Sequence, residues 1–167
     1  MKLDSKVAIV TGAGKGIGRG IALCLAREGA DVAVNAFHEE SAKAVSEQIK
    51  ALGRQSVALA ADVTNNAQVK RIVKETLDAF GRIDILVNNF GGHTDTFYTR
   101  LDPTFVDQEE KEWDDDYRIN LKSQVLMCME IVPHMISQES GKIINISSTA
   151  ARTTSPAQMT YGVFKAG

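Results

Sequence analysis

Five short, predominantly apolar runs punctuate the chain, with Asp84 and Asn145 the polar exceptions: Val7 to Val10, Val32 to Val34, Val57 to Ala60, Ile83 to Val87 and Ile143 to Ile146. Runs that are apolar on successive positions, without polar alternation, predict strands covered on both faces. Between them, apolar residues recur at three- and four-residue spacing over Ile17 to Glu28, Ser41 to Leu52, Ala67 to Phe80 and Glu109 to Met135, the signature of amphipathic helices. Strand alternating with helix predicts an α/β fold: a doubly wound parallel sheet with right-handed crossovers and helices on both faces. Ligands of such a sheet bind beyond the carboxyl ends of its strands. The longest loop-like stretch, Asn88 to Gln108, follows the fourth strand, where a substrate could reach it.

Composition narrows the class without naming a partner. The 167 residues are 44% hydrophobic and 24% charged, which suits one globular domain over 1–167; no repeat, low-complexity tract or linker divides them. Net charge is -2 with the two signs interleaved, so no basic stripe invites nucleic acid or an anionic membrane. Cys24 and Cys128 are far apart and inside helical patterns, which points to a reducing compartment. The first residues lack the apolar core of a signal peptide and no stretch is long enough to span a bilayer, so the cytoplasm is the default expectation. His38, His93 and His134 are scattered, and no metal site is expected. The acidic cluster Asp107 to Asp116 reads as the solvated start of a helix, and Met127, Cys128 and Met129 read as helix packing.

Chemistry first shows in the turn after the first strand, Thr11-Gly12-Ala13-Gly14-Lys15-Gly16-Ile17-Gly18-Arg19-Gly20. A strand-to-helix turn with so few side chains lets backbone N–H groups and the positive end of a helix approach a pyrophosphate. The G-x-G-x-x-G dinucleotide pattern fails in every frame, because Ile17, Arg19 and Ile21 stand where glycine is needed. The phosphate-loop NTPase pattern fails as well: Gly16 follows Lys15 where a magnesium-binding Ser or Thr belongs. The spacing that fits is T-G-x-x-x-G-x-G, with Thr11, Gly12, Gly16 and Gly18, and it resembles the short-chain dehydrogenase/reductase family, in particular its 3-oxoacyl reductase-like group.

Further motifs carry the same resemblance in the same order. Asp62-Val63 after the third strand is similar to the family's adenine-facing pair, although Asp62 is equally suited to capping the next helix. Asn88-Asn89-Phe90-Gly91 resembles N-N-A-G, and the bulky Phe90 either narrows the adenosine site or turns into the core. Ser148, Tyr161 and Lys165 reproduce S-x12-Y-x3-K, and Asn120 in Arg118-Ile119-Asn120-Leu121 matches the fourth catalytic position. Ser147 competes with Ser148, but the spacing to Tyr161 selects Ser148. The resemblance implies a Rossmann-like domain binding a nicotinamide dinucleotide through Thr11, Gly12, Gly14, Lys15, Gly16, Ile17, Gly18, Asp62, Val63, Asn89, Gly91, Tyr161 and Lys165.

The implied reaction is hydride transfer between the nicotinamide and a small-molecule carbonyl or secondary alcohol. The alkoxide left by reduction must be protonated, and Tyr161 is the expected general acid. Free tyrosine titrates near pH 10, so exchange near neutrality needs positive charge close by. Lys165, one helical turn away, supplies it. Ser148 would donate to the substrate oxygen, Lys165 would also hold the nicotinamide ribose, and Asn120 would hold a water linking Lys165 to solvent.

The second strand ends in Val34-Asn35-Ala36-Phe37 without the carboxylate that NAD-preferring relatives offer to the adenosine ribose. Lys15, with Arg19 nearby, could instead pair with a 2′-phosphate, so NADP is expected; Glu39 and Glu40 leave NAD open. The resemblance covers about the first two-thirds of a typical member and implies a homo-oligomer, dimer or tetramer, when full length. The fold is expected to stop after the fifth strand and the start of the next helix, with the sheet's far edge uncovered, and the chain alone to be a poor enzyme. The alternative is a nucleotide-binding or regulatory module without turnover.

Overall fold

The computed structural model describes residues 1–92, 104–153 and 159–167. Five parallel strands, β1 (Val7–Val10), β2 (Asp31–Ala36), β3 (Ser56–Ala60), β4 (Ile85–Asn88) and β5 (Lys142–Asn145), form one sheet in the order β3-β2-β1-β4-β5. The chain runs outward from β1 through β2 to β3, then returns to the other side of β1 with β4. The crevice between the carboxyl ends of β1 and β4 is therefore the topological switch point.

Helices α1 (Gly16–Arg27) and α2 (Glu39–Ala51) cover one face; α3 (Asn66–Phe80) and α5 (Ser123–Ser137) cover the other. Alternation along the strands divides the core between them. Ala8, Val10, Val32 and Val34 pack with Ala22, Ala26, Val45 and Ile49, whereas Ile9, Ala33 and Leu86 pack with Val69, Ile72, Met127 and Ile131. Each Val, Ile, Leu or Met side chain so buried contributes about 1.5–3 kcal/mol, which explains why strands without polar alternation settle between two helix layers. Asn65 caps α3 by accepting from the Gln68 N–H at 3.2 Å, and Gly81, at φ 74°, ends it.

Asp84 ties the base of β1 to β4: its carboxylate accepts from the Val7 N–H at 3.0 Å, from Lys6 at 3.1 Å and from both Nε and Nη2 of Arg82. Burial opposes its charge, but the bonds from Arg82, Val7 and Lys6 outweigh that and hold the carboxyl below its ordinary range.

Two expectations change. The helical stretch expected over Glu109 to Met135 is interrupted: α4 (Glu110–Tyr117) joins α5 through a π-helical turn, Arg118–Lys122, with Asn120 at its centre. The extra residue in such a turn shifts the register of the side chains that follow, a departure apolar spacing does not reveal. The strand over Ile143 to Ile146 was expected to be covered on both faces, yet Ile143 and Ile144 are 39% and 46% exposed. β5 lies at the sheet's edge, where among the described residues it pairs with β4 alone. A final helix, α6 (Met159–Ala166), carries Tyr161 and Lys165.

Candidate active site

The glycine loop is held from beneath by polar groups at the strand ends. Thr11, 1% exposed, receives the N–H groups of Asn89 and Phe90 on its Oγ1, each at 3.0 Å. The Asn89 amide donates to the carbonyls of Thr11 and Gly12 at 2.9 and 3.2 Å. Asn35, also 1% exposed, accepts from the Gly12 N–H at 3.4 Å and donates to the carbonyls of Leu59 and Ala61, both at 3.1 Å. β2, β3 and β4 thus fix the turn that leaves β1. Asn35 was passed over in the sequence as the lack of a carboxylate; an amide inside the run Val32-Ala33-Val34-Asn35-Ala36 was the signal for a buried hydrogen-bonded side chain.

Gly12 and Gly18 show why this turn is built of glycine. Gly12 has φ +61°, and a Cβ there would stand 3.1 Å from the Phe90 Cα. A Cβ on Gly18 would collide with the Gly12 carbonyl oxygen and lie 2.5 Å from Asn89 Nδ2. Gly18→Ala should therefore open the contact between α1 and the loop, lowering stability by about 1–3 kcal/mol. A thermal melt of the apo protein measures this; an unchanged Tm would show that the loop absorbs the methyl without strain.

Above the loop lies a cleft of about 470 Å³ lined by Gly12, Gly14, Lys15, Phe37, His38 and Ser41, with Ala36, Asn89, Phe90 and Gly91 completing the wall. Lys15 is the residue immediately before α1, so the positive end of the helix lies at the loop. Phe90 resolves both ways, packing against the core on the α3 and α5 side while also lining the cleft. His38 and Ser41 enter the site unannounced, brought in by the turn from β2 into α2.

Arg19 does not join Lys15. Its guanidinium holds Gln48 Oε1 at 3.0 and 2.9 Å, a pairing across two helices, and Arg19 is not among the residues lining the cleft. Glu39 pairs with Lys43 at 2.5 Å on α2, and it is this lysine that lowers its pKa. Glu39 is not among the residues lining the cleft. Ile17 is 72% exposed at the start of α1, beside Gly16. Val63 is buried in the core, while Asp62 Oδ1 accepts from the N–H and hydroxyl of Thr64, both at 2.8 Å. Asn65, and not Asp62, is the cap of α3.

The second cluster meets the cleft at Gly91. Lys165 is 7% exposed and donates to the Ile146 carbonyl, and burial pushes its pKa down. A Cβ on Gly91 would stand 3.5 Å from Lys165 Nζ and 2.9 Å from Asn120 Oδ1. Asn120, fully buried in the π turn, both donates to and accepts from the Gly92 backbone at 2.9 Å. Its own carbonyl receives the Gln124 amide at 2.8 Å, a partner the sequence did not suggest.

The two serines separate clearly. Ser147 donates to the Lys165 carbonyl at 2.6 Å and ties α6 to the end of β5. Ser148 caps the short 3-10 turn Thr149–Ala151, accepting from the Ala150 N–H at 3.2 Å. Gly162 abuts this turn, since a Cβ there would lie 2.9 Å from the Ala150 carbonyl oxygen, which brings the segment holding Tyr161 beside the one holding Ser148. His93 and the rest of 93–103, within the loop expected to meet substrate, lie outside the described residues.

Comparison with known proteins bears on the family and the fold. The profile of the short chain dehydrogenase family matches residues 6–167. The chain belongs to that family. It is 43% identical over 164 residues to a 3-oxoacyl-(acyl-carrier-protein) reductase of Staphylococcus epidermidis, covering 98% of this chain and 64% of that relative. A reductase of the same name from Thermotoga maritima is 34% identical over 167 residues, covering 100% of this chain and 65% of its own length. A solved 7α-hydroxysteroid dehydrogenase, complexed with NADH and 7-oxo-glycochenodeoxycholic acid, superposes with a TM-score of 0.90 at 32% identity, covering 99% of this chain and 62% of that one. The chain thus spans slightly less than two-thirds of the length of these relatives. Among the described residues no group could hold a metal ion and no helix is long and apolar enough to cross a membrane.

Proposed function

We propose that the protein is an NADP(H)-dependent oxidoreductase acting on a carbonyl or secondary alcohol, with Tyr161 as the group that moves the proton. The observation that carries this is the position of Gly91, which lines the glycine-loop cleft and also stands against the Lys165 ammonium. Dinucleotide cleft and candidate acid–base cluster therefore share one wall. The cleft suits such a cofactor: the loop is free of Cβ atoms where Gly12 and Gly18 turn, and the uncapped start of α1 supplies donors and positive potential for a diphosphate.

When bound, the nicotinamide supplies the hydride. Tyr161 then gives its phenolic proton to the substrate oxygen as charge develops there, or takes it back in the reverse direction. The Lys165 charge, held in a poorly solvated position, favours the tyrosinate that results. Ser148 Oγ donates to the same substrate oxygen. Asn120 clamps Gly92 and so fixes the wall on which Lys165 rests.

The NADP preference rests on Lys15, the cation lining the cleft, together with a described lining that contains no carboxylate. kcat/KM with NADPH should exceed that with NADH by at least tenfold, about 1.4 kcal/mol; a preference for NADH would refute the assignment. The similarity to 3-oxoacyl reductases makes a 3-oxoacyl thioester the first substrate to try, with a 7-oxosteroid as comparison. Absence of turnover on every carbonyl by the full-length protein, with cofactor still bound, would favour the binding-module alternative.

We also propose a homo-oligomer built on the outer face of α5. Val125, Met129 and Ile136 are 46%, 65% and 70% exposed and fall on one helical stripe. Met129→Glu should reduce the sedimentation coefficient of the full-length protein to that of a monomer; an unchanged value would place the interface elsewhere.

A further inference from the structure

Within the acidic helix α4, one carboxylate behaves unlike its neighbours. Asp116 is 3% exposed, although the cluster from Asp107 to Asp116 was expected to be solvated. Burying a carboxylate is costly, so its location calls for a partner that repays the loss of water. Asp116 Oδ2 accepts the hydroxyl of Thr160, itself 8% exposed and the residue immediately before Tyr161. On the same face of α4, Trp113 and Tyr117 bracket Phe164 of α6, with ring centroids 6.0 and 5.7 Å apart. Residues 113, 116 and 117 of one helix therefore meet residues 160 and 164 of the other, in both cases along one helical face.

These contacts differ in kind. Aromatic packing is weakly directional and tolerates a small slide or rotation of α6 against α4. A buried hydrogen bond to a carboxylate fixes position, because moving either helix leaves a polar group without its partner. Tyr161 follows Thr160 directly, and Lys165 follows Phe164. Any rotation of α6 that these contacts permit carries both side chains with it.

We infer that the Asp116–Thr160 bond is a peg that sets the rotation of α6 and thereby aims the Tyr161 phenol, which makes Asp116 and Thr160 positioning residues; this rests on the activity proposed above. Three variants of the full-length protein test it: Thr160→Val, which keeps the shape and removes the hydroxyl, Thr160→Ser, which restores the hydroxyl, and Asp116→Ala. Trp113, the sole tryptophan, reports on the α4–α6 contact independently of turnover.

Thr160→Val and Asp116→Ala should each lower kcat about tenfold to hundredfold with the cofactor KM rising no more than about two- to threefold, and should shift Trp113 emission. Thr160→Ser should recover most of kcat, and the double variant should be no worse than either single one. Wild-type kcat in Thr160→Val would overturn the peg, as would a loss that Thr160→Ser fails to rescue. If the parent turns over no carbonyl, the proposed activity fails on its own account. The peg then stands or falls on Trp113: emission shifted by Thr160→Val and restored by Thr160→Ser supports it, and emission unmoved by Thr160→Val overturns it.

Discussion

Replacing Tyr161 by phenylalanine should cut kcat about a thousandfold, close to 4 kcal/mol of transition-state stabilisation, while cofactor affinity stays within a few-fold. The ring remains, half-buried on α6, so the helix keeps its packing against the 3-10 turn at Gly162 and its tie from Ser147. What disappears is the one group proposed to move a proton to the substrate oxygen. The cleft that would hold the dinucleotide is lined from the glycine loop, the β2–α2 turn and the end of β4, none of which this substitution touches. Fluorescence titration with NADPH alongside steady-state turnover separates the two quantities. A variant that retained a tenth or more of kcat would show that another acid supplies the proton. Equal loss of binding and turnover would show that the substitution had disturbed the cleft.

The sheet was legible because its strands declare themselves. Val7 to Val10 and Val32 to Val34 are apolar at every position and short, and a strand sandwiched between helices uses such a run. The glycine loop was legible because a turn that must place Gly18 against the Gly12 carbonyl leaves no choice of residue. What escaped depends on partners distant in sequence. Arg19 reads as a free cation until Gln48, on the next helix, takes it. Asn35 reads as an odd polar residue until its amide is seen bridging Gly12 to Leu59 and Ala61.

Asp116 is the plainest case. Its neighbours Asp114 and Asp115 share its chemistry, and composition assigns all three to water; only the arrival of Thr160 from another helix separates them. The π turn at Asn120 escaped for a related reason. The residues on either side keep good helical character, and the shifted register becomes visible only when Asn120 must reach the Gly92 backbone from a buried position.

Lys165→Met should abolish most turnover, by about 10²- to 10⁴-fold, and at the same time remove a distinctive pH dependence of stability. Burial lowers the Lys165 pKa from its ordinary 10.5, so the folded protein holds this proton less firmly than the unfolded chain does. In the alkaline range between the lowered value and 10.5, the unfolded state binds more protons, and the free energy of unfolding rises with pH. Below that range the penalty for keeping a buried ammonium is present in full. Met has no charge to desolvate, so the variant should lack this alkaline gain, and the stability advantage it holds from escaping that penalty should shrink as pH rises. Chemical denaturation of both proteins at a series of pH values measures the difference directly. Parallel pH dependence would mean that Lys165 is hydrated in the folded protein, and its proposed action on Tyr161 would then lose the poorly solvated setting that strengthens it.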